Sequence, residues 1–105
     1  MVFNTTVQPV TAHLVCSIIG HLAVINDQTE LDQLNQTATY WIDMNDIETE
    51  GTWVSSFTDD ASFISWAPNE PSTTQEEIED CGFITGNSGM ADDQCTSVRA
   101  FICEM

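Results

Sequence analysis

The chain has 105 residues, 42% of them hydrophobic, with three Trp and five Phe: enough for one domain with a modest core, and unlike a solvating acidic tail. Seventeen Asp and Glu face a single basic residue, Arg99, for a formal net charge of -16, which argues against nucleic acid and anionic membranes as partners and favours cations. Self-repulsion on this scale opposes folding, so bound divalent cations or high ionic strength are expected to stabilise the native state.

Met1 to Val7 has β-branched and aromatic alternation, consistent with a first strand. Pro9 suits the first turn of a helix, Ala12, Val15, Cys16 and Ile19 fall at helical spacing on one face, and Gly20 can close it. A short apolar run, Leu22 to Ile25, leads to Asn26-Asp27-Gln28-Thr29-Glu30, an N-cap with Glu three places after Asp27, opening a second helix to about Leu34. From Tyr40 the texture changes. Tyr40-Trp41-Ile42, Thr52-Trp53-Val54, Phe83-Ile84-Thr85 and Ala100-Phe101-Ile102 read as short strands, separated by a long irregular segment from about Ser55 to Asp80. Helices first and strands later is an α+β pattern, and residues 1–105 read as one domain without internal repeats or linkers. An irregular segment of that length that contains Phe63 and Trp66 is expected to be ordered and functional.

Cys16, Cys81, Cys95 and Cys103 form an even set without a C-x-x-C pair, which favours disulfides over a zinc knuckle or a redox motif and leaves three connectivities open. Asn4-Thr5-Thr6 and Asn35-Gln36-Thr37 are glycosylation sequons compatible with secretion. No apolar run approaches a membrane span and the first residues do not resemble a signal peptide, so the chain reads as a mature or recombinant domain.

Taken in order, Cys16 on the first helix, Trp41-Ile42, Glu50-Gly51-x-Trp53, Trp66-x-x-x-Glu70-Pro71, Glu79-Asp80-Cys81, Asp92-x-x-Cys95 and Phe101-Ile102-Cys103-Glu104 resemble the C-type lectin-like domain in its short form, over nearly the whole chain. The resemblance implies two helices packed on small antiparallel sheets with a long calcium-binding loop region. It also implies the pairing Cys16–Cys103, joining the first helix to the last strand, and Cys81–Cys95, pinning the loop region. In the family, a calcium ion is held by side-chain oxygens that also hydrogen-bond two vicinal sugar hydroxyls, themselves ligands of the ion. Calcium accepts six to eight oxygen ligands in tolerant geometry, which leaves room for both. The matching positions here are Glu70 and Ser72 of Glu-Pro-Ser, then Glu79 and Asp92, with Glu70-Pro71 as the candidate cis bond. An auxiliary calcium site maps onto Asp46, Glu50, Glu79 and Asp80.

Two departures from the family pattern bear on the sugar. Ser72 stands where the family has an amide in Glu-Pro-Asn, and its shorter hydroxyl reaches an ion less directly. Met90-Ala91-Asp92 stands where the family has Trp-Asn-Asp, and Ala91 supplies neither a ligand nor a hydrogen bond. The retained acids imply calcium-dependent carbohydrate binding by a secreted, non-enzymatic lectin domain, of the mannose or fucose class by Glu70 and undecided against galactose. Oligomerisation is expected, because weak single-site sugar contacts call for multivalency. The alternative is a domain of the same fold that has lost sugar binding and meets a protein, mineral or ice surface with its acidic, calcium-loaded face.

Competing readings are weaker. An EF-hand over Asp43-Met44-Asn45-Asp46-Ile47-Glu48 fails, since Ile47 and Glu48 occupy the fifth and sixth positions, where a ligand and a Gly are required. A glycosidase needs a carboxyl group whose pKa an apolar pocket raises, and the sequence signals none. His13 and His21 are assigned no role, and Trp41, Trp53 and Trp66 are read as core rather than as sugar-stacking rings.

Overall fold

The computed structural model describes residues 2–33, 39–49, 51–58, 63–68, 81–85 and 89–105. In chain order they form β1 (Val2–Val7), α1 (Pro9–Cys16), β2 (His21–Leu22), α2 (Gln28–Gln33), β3 (Thr39–Asn45), β4 (Cys81–Thr85), β5 (Met90–Asp93) and β6 (Arg99–Glu104). The strands join in the order β1-β6-β3-β4-β5, with β2 pairing with the far end of β6. All pairs are antiparallel except β3 with β6, where Tyr40 lies opposite Ala100 and Trp41 opposite Phe101. Two helices and a mixed sheet make this an α+β fold.

Alternation along the central strands sends apolar side chains to both faces of the sheet. Tyr40, Ile42, Met44, Ile84, Met90 and Ile102 join Ala23, Ile25, Leu31 of α2 and Trp53 in one cluster, against which Phe63 and Trp66 pack. Trp41, Phe83, Ala91 and Phe101 join Ala12 and Cys16 of α1 in the other. Both faces are therefore covered, and β3 reads as a near-continuous buried run rather than a clean alternation. The disulfides are Cys16–Cys103, which ties α1 to β6, and Cys81–Cys95, which ties β4 to the turn after β5. This is the pairing the resemblance implies.

Local signals explain most boundaries. Pro9 opens α1 with its fixed φ, and Ala12 and Cys16, four apart, are fully buried. The helix ends at Cys16, before Ile19, because the backbone tightens: the N–H of Ile18 donates to Val15 O and that of Ile19 to Cys16 O. Asp27 caps α2, its Oδ1 accepting from the Glu30 N–H at 2.8 Å, as the Asp-x-x-Glu spacing predicts.

Two strand readings need correction. Thr52-Trp53-Val54 is not a strand; Val54 makes one isolated bridge to Asn45, through hydrogen bonds of 2.8 and 3.0 Å. Just beyond it the chain turns onto Asp43, which accepts from Ser55 Oγ and from the N–H groups of Ser56 and Phe57, all at 2.9 Å. The turn takes the donors that a longer ladder would need. Conversely, Met90-Ala91-Asp92-Asp93 lacks β-branched and aromatic residues yet pairs with β4 along its whole length. Tertiary packing overrides propensity there. Gly89, at φ 112°, makes the entry to β5 possible, and a Cβ on it would lie 2.7 Å from the Ser65 carbonyl oxygen.

Candidate metal and ligand site

The antiparallel pairings decide which end of the sheet is acidic. Asn45 at the end of β3 lies opposite Cys81 at the start of β4, and Cys81 lies opposite Asp93 at the end of β5, with Asp92 opposite Gly82. Asp46 and Asp92 therefore belong to the same end of the sheet. The segment 46–80, which carries Glu50, Glu70, Ser72, Glu79 and Asp80, leaves the sheet and returns to it at this end. Those five residues lie outside the described residues, as does the Glu70-Pro71 bond.

Asp46 is 2% exposed, and its Oδ2 accepts the Gly51 N–H at 2.8 Å. Gly51, at φ 85°, has the left-handed conformation that aims this N–H back at the carboxylate. Oδ1 is also buried but accepts no hydrogen bond within the described structure. A buried carboxylate oxygen without a donor is costly unless a cation or proton meets it, and hard oxygen donors of this kind suit calcium. The residues present fit the ion on this observation. Among the described residues alone no group of three or more His, Cys, Asp or Glu converges to complete such a site.

Asp43, only three residues earlier, is equally buried but fully engaged by its three donors from residues 55–57. It anchors a turn. Neighbouring Asp92 and Asp93 divide in a similar way. Asp92 is 6% exposed and alternates onto the face that carries Met90, beside the bridge where Trp66 pairs with Met90. Asp93 takes the opposite face and is held by Arg99, whose Nη1 donates to its Oδ2 at 2.6 Å. Burial raises the Asp93 pKa, but hydrogen bonds from Arg99 and the Gln94 N–H, with the guanidinium charge, outweigh it and hold the carboxyl below its ordinary 3.8. The guanidinium also lies 3.8 Å from the Phe83 ring centroid and 5.0 Å from that of Trp41. Arg99, the one Lys or Arg in the sequence, thus pairs with Asp93, a role that spacing alone did not signal.

The remaining sequence candidates resolve into packing. Ala91 is buried and lies opposite Phe83 in the cluster below α1. Trp41 and Trp53 are buried, and Trp53 meets Trp66 edge to face at 5.2 Å. His13 Nε2 lies 3.8 Å from Asp43 Oδ1, and His21 stacks on Phe57. A cleft of about 340 Å³ between α1, β3 and the Cys81–Cys95 bridge is lined, among the described residues, by Pro9, Val10, His13, Met44 and Ile47 and by no carboxylate.

Comparison with known proteins agrees with this architecture. The Lectin C-type domain model matches residues 10–105. The chain is 33% identical over 107 residues to accessory gland protein Acp29AB of Drosophila simulans, covering 96% of this chain and 44% of that protein. It is 32% identical over 103 residues to lectin BRA-3 of Megabalanus rosa, covering 90% of this chain and 62% of that one. It thus spans about half the length of these curated relatives. The mouse scavenger receptor C-type lectin carbohydrate-recognition domain superposes with a TM-score of 0.86 at 24% identity, covering 98% of this chain and 86% of that chain. On the match over residues 10–105, the chain belongs to the C-type lectin domain family.

Proposed function

We propose that the chain is an extracellular, non-catalytic lectin domain that binds carbohydrate through calcium, with Glu70, Ser72, Glu79 and Asp92 holding the ion and the sugar hydroxyls, and Asp46, Glu50, Glu79 and Asp80 an auxiliary ion. The observation that carries this reading is the buried Oδ1 of Asp46, which has no donor among the described residues, at the sheet end shared by Asp92 and by both ends of the acid-rich segment 46–80. Held by Glu70, Ser72, Glu79 and Asp92, calcium would supply positive charge and open coordination positions for two neighbouring hydroxyls. The chain's carboxylates orient those hydroxyls by accepting hydrogen bonds from them, and Glu70 favours the mannose or fucose arrangement. Family membership and the likeness to lectin BRA-3 support a glycan as the partner.

A second reading has its own observation. Ala91 is buried against Phe83 and offers no hydrogen bond, so one sugar-contacting amide of the family pattern is missing. On that reading the calcium-loaded face meets a protein, mineral or ice surface. A glycan array probed with the calcium-loaded chain and again with chelator separates the two. Chelator-sensitive binding to a defined glycan class supports the lectin reading, and a blank array from a calcium-loaded chain overturns it.

A further inference from the structure

All seventeen acids lie between Asp27 and Glu104, and residues 1–26 carry no Asp, Glu, Lys or Arg. That charge-free stretch includes α1, at whose exposed side three large apolar residues stand out. Val10 is 70% exposed, Leu14 69% and Ile18 82%, at spacings of four and four. Ile18 lies in the turn just past the helix, where Ser17 still has helical backbone angles and donates its N–H to His13 O at 3.0 Å, while the Ile18 N–H donates to Val15 O. Three large apolar side chains facing water, two on α1 four residues apart and one in the turn that follows, mark an interaction surface rather than scattered exposure.

Shape and charge together indicate the occupant. The ridge is centred on Leu14, with the protruding Ile18 at one end and Val10, which lines the apolar cleft shared with Met44 and Ile47, at the other. Val10 and Ile18 are roughly 12 Å apart along the helix axis at ~1.5 Å per residue. A two-fold axis at Leu14 sets each Ile18 beside the Val10 and cleft of the other copy. A ridge with a knob at one end and a hole at the other fits its own copy in antiparallel register. Charge points the same way. A basic partner is drawn to the acidic surfaces, whereas the neutral α1 face is where two chains of charge -16 can meet with least repulsion.

We propose that α1 forms the interface of a homodimer in which two copies pack antiparallel through Val10, Leu14 and Ile18. The proposal is independent of calcium and of glycan binding. Three side chains and their rim fall short of the ~800 Å² per partner of a standard interface, so the dimer is weak, in the micromolar to millimolar range. Its driving force is apolar while the net charges oppose it, so association tightens as salt rises. An interface held by ion pairs would do the reverse.

Sedimentation velocity of the 105-residue chain, over a concentration series at low and high sodium chloride, tests this. The expected result is a monomer–dimer equilibrium whose dissociation constant falls with added salt. Leu14→Glu is expected to weaken it at least tenfold with an unchanged circular dichroism spectrum. Ile64→Glu, the same kind of change at an exposed residue outside α1, is expected to leave it unaltered. A chain that stays monomeric to about millimolar at high salt overturns the proposal. So does a dimer insensitive to Leu14→Glu, or one that Ile64→Glu disrupts equally.

Discussion

Asp46→Asn is expected to change sign with calcium. In the native chain the carboxylate is 2% exposed, one oxygen accepts the Gly51 N–H and the other has no donor within the described structure. Leaving such a group unsatisfied costs about 1–3 kcal/mol. Asparagine keeps the acceptor for Gly51, removes a buried negative charge from an acidic chain and introduces donors of its own. In chelator the variant should therefore match the native chain or exceed it by up to about 1 kcal/mol. With calcium a hundredfold above its dissociation constant, the native chain gains about 2.7 kcal/mol that the variant largely forgoes. The difference then favours the native chain by about 2 kcal/mol, or roughly 10 °C in Tm for a domain of this size. Thermal unfolding followed by circular dichroism, run on both proteins in calcium and in chelator, reads all four values. A native Tm indifferent to calcium, or a variant destabilised equally under both conditions, refutes the reasoning.

Other tests address the framework. Replacing Cys16 and Cys103 by Ala opens a link of sequence separation 87 and should lower stability by about 4–5 kcal/mol, against about 3 for Cys81 and Cys95 at separation 14; urea midpoints compare the pairs. Ser55→Ala removes one of the three donors to buried Asp43 and should cost about 1–2 kcal/mol in the same assay. Arg99→Met removes the Asp93 ion pair and the ring contacts and should cost about 1–2 kcal/mol at neutral pH. Because Asp93 titrates below its ordinary 3.8 when folded, the ion-pair share of that stability is complete above 3.8 and is lost as the pH falls through the depressed value. The gap between native and Arg99→Met should accordingly narrow in acid, and a gap that widens there would contradict the pairing.

Much of the fold was legible because local and tertiary signals agree. Pro9 with Ala12 and Cys16, the Asp27 cap with Glu30, and the aromatic runs at Trp41, Phe83 and Phe101 each specify the element that packing then uses. β5 was not legible, since Met90-Ala91-Asp92-Asp93 becomes a strand through its neighbour β4 and not through its own propensity. Val54 shows the converse, a β-type run stopped after one bridge because buried Asp43 captures the next three residues. Within the site, the sequence could rank carboxylates only by motif. Hydrogen bonding separates Asp46, with an oxygen lacking a described donor, from the equally buried Asp43, which holds three donors, and strand alternation separates Asp92 from the Arg99-bound Asp93. None of these distinctions has a signature in spacing.

The central claim is that this acidic sheet end holds calcium, and calorimetric titration of calcium into the metal-free chain at physiological ionic strength addresses it most directly. Saturable binding of at least one ion is expected, weakened about tenfold or more, at least ~1.4 kcal/mol, by Asp92→Asn. No saturable binding, or an affinity that Asp92→Asn leaves unchanged, would contradict the account.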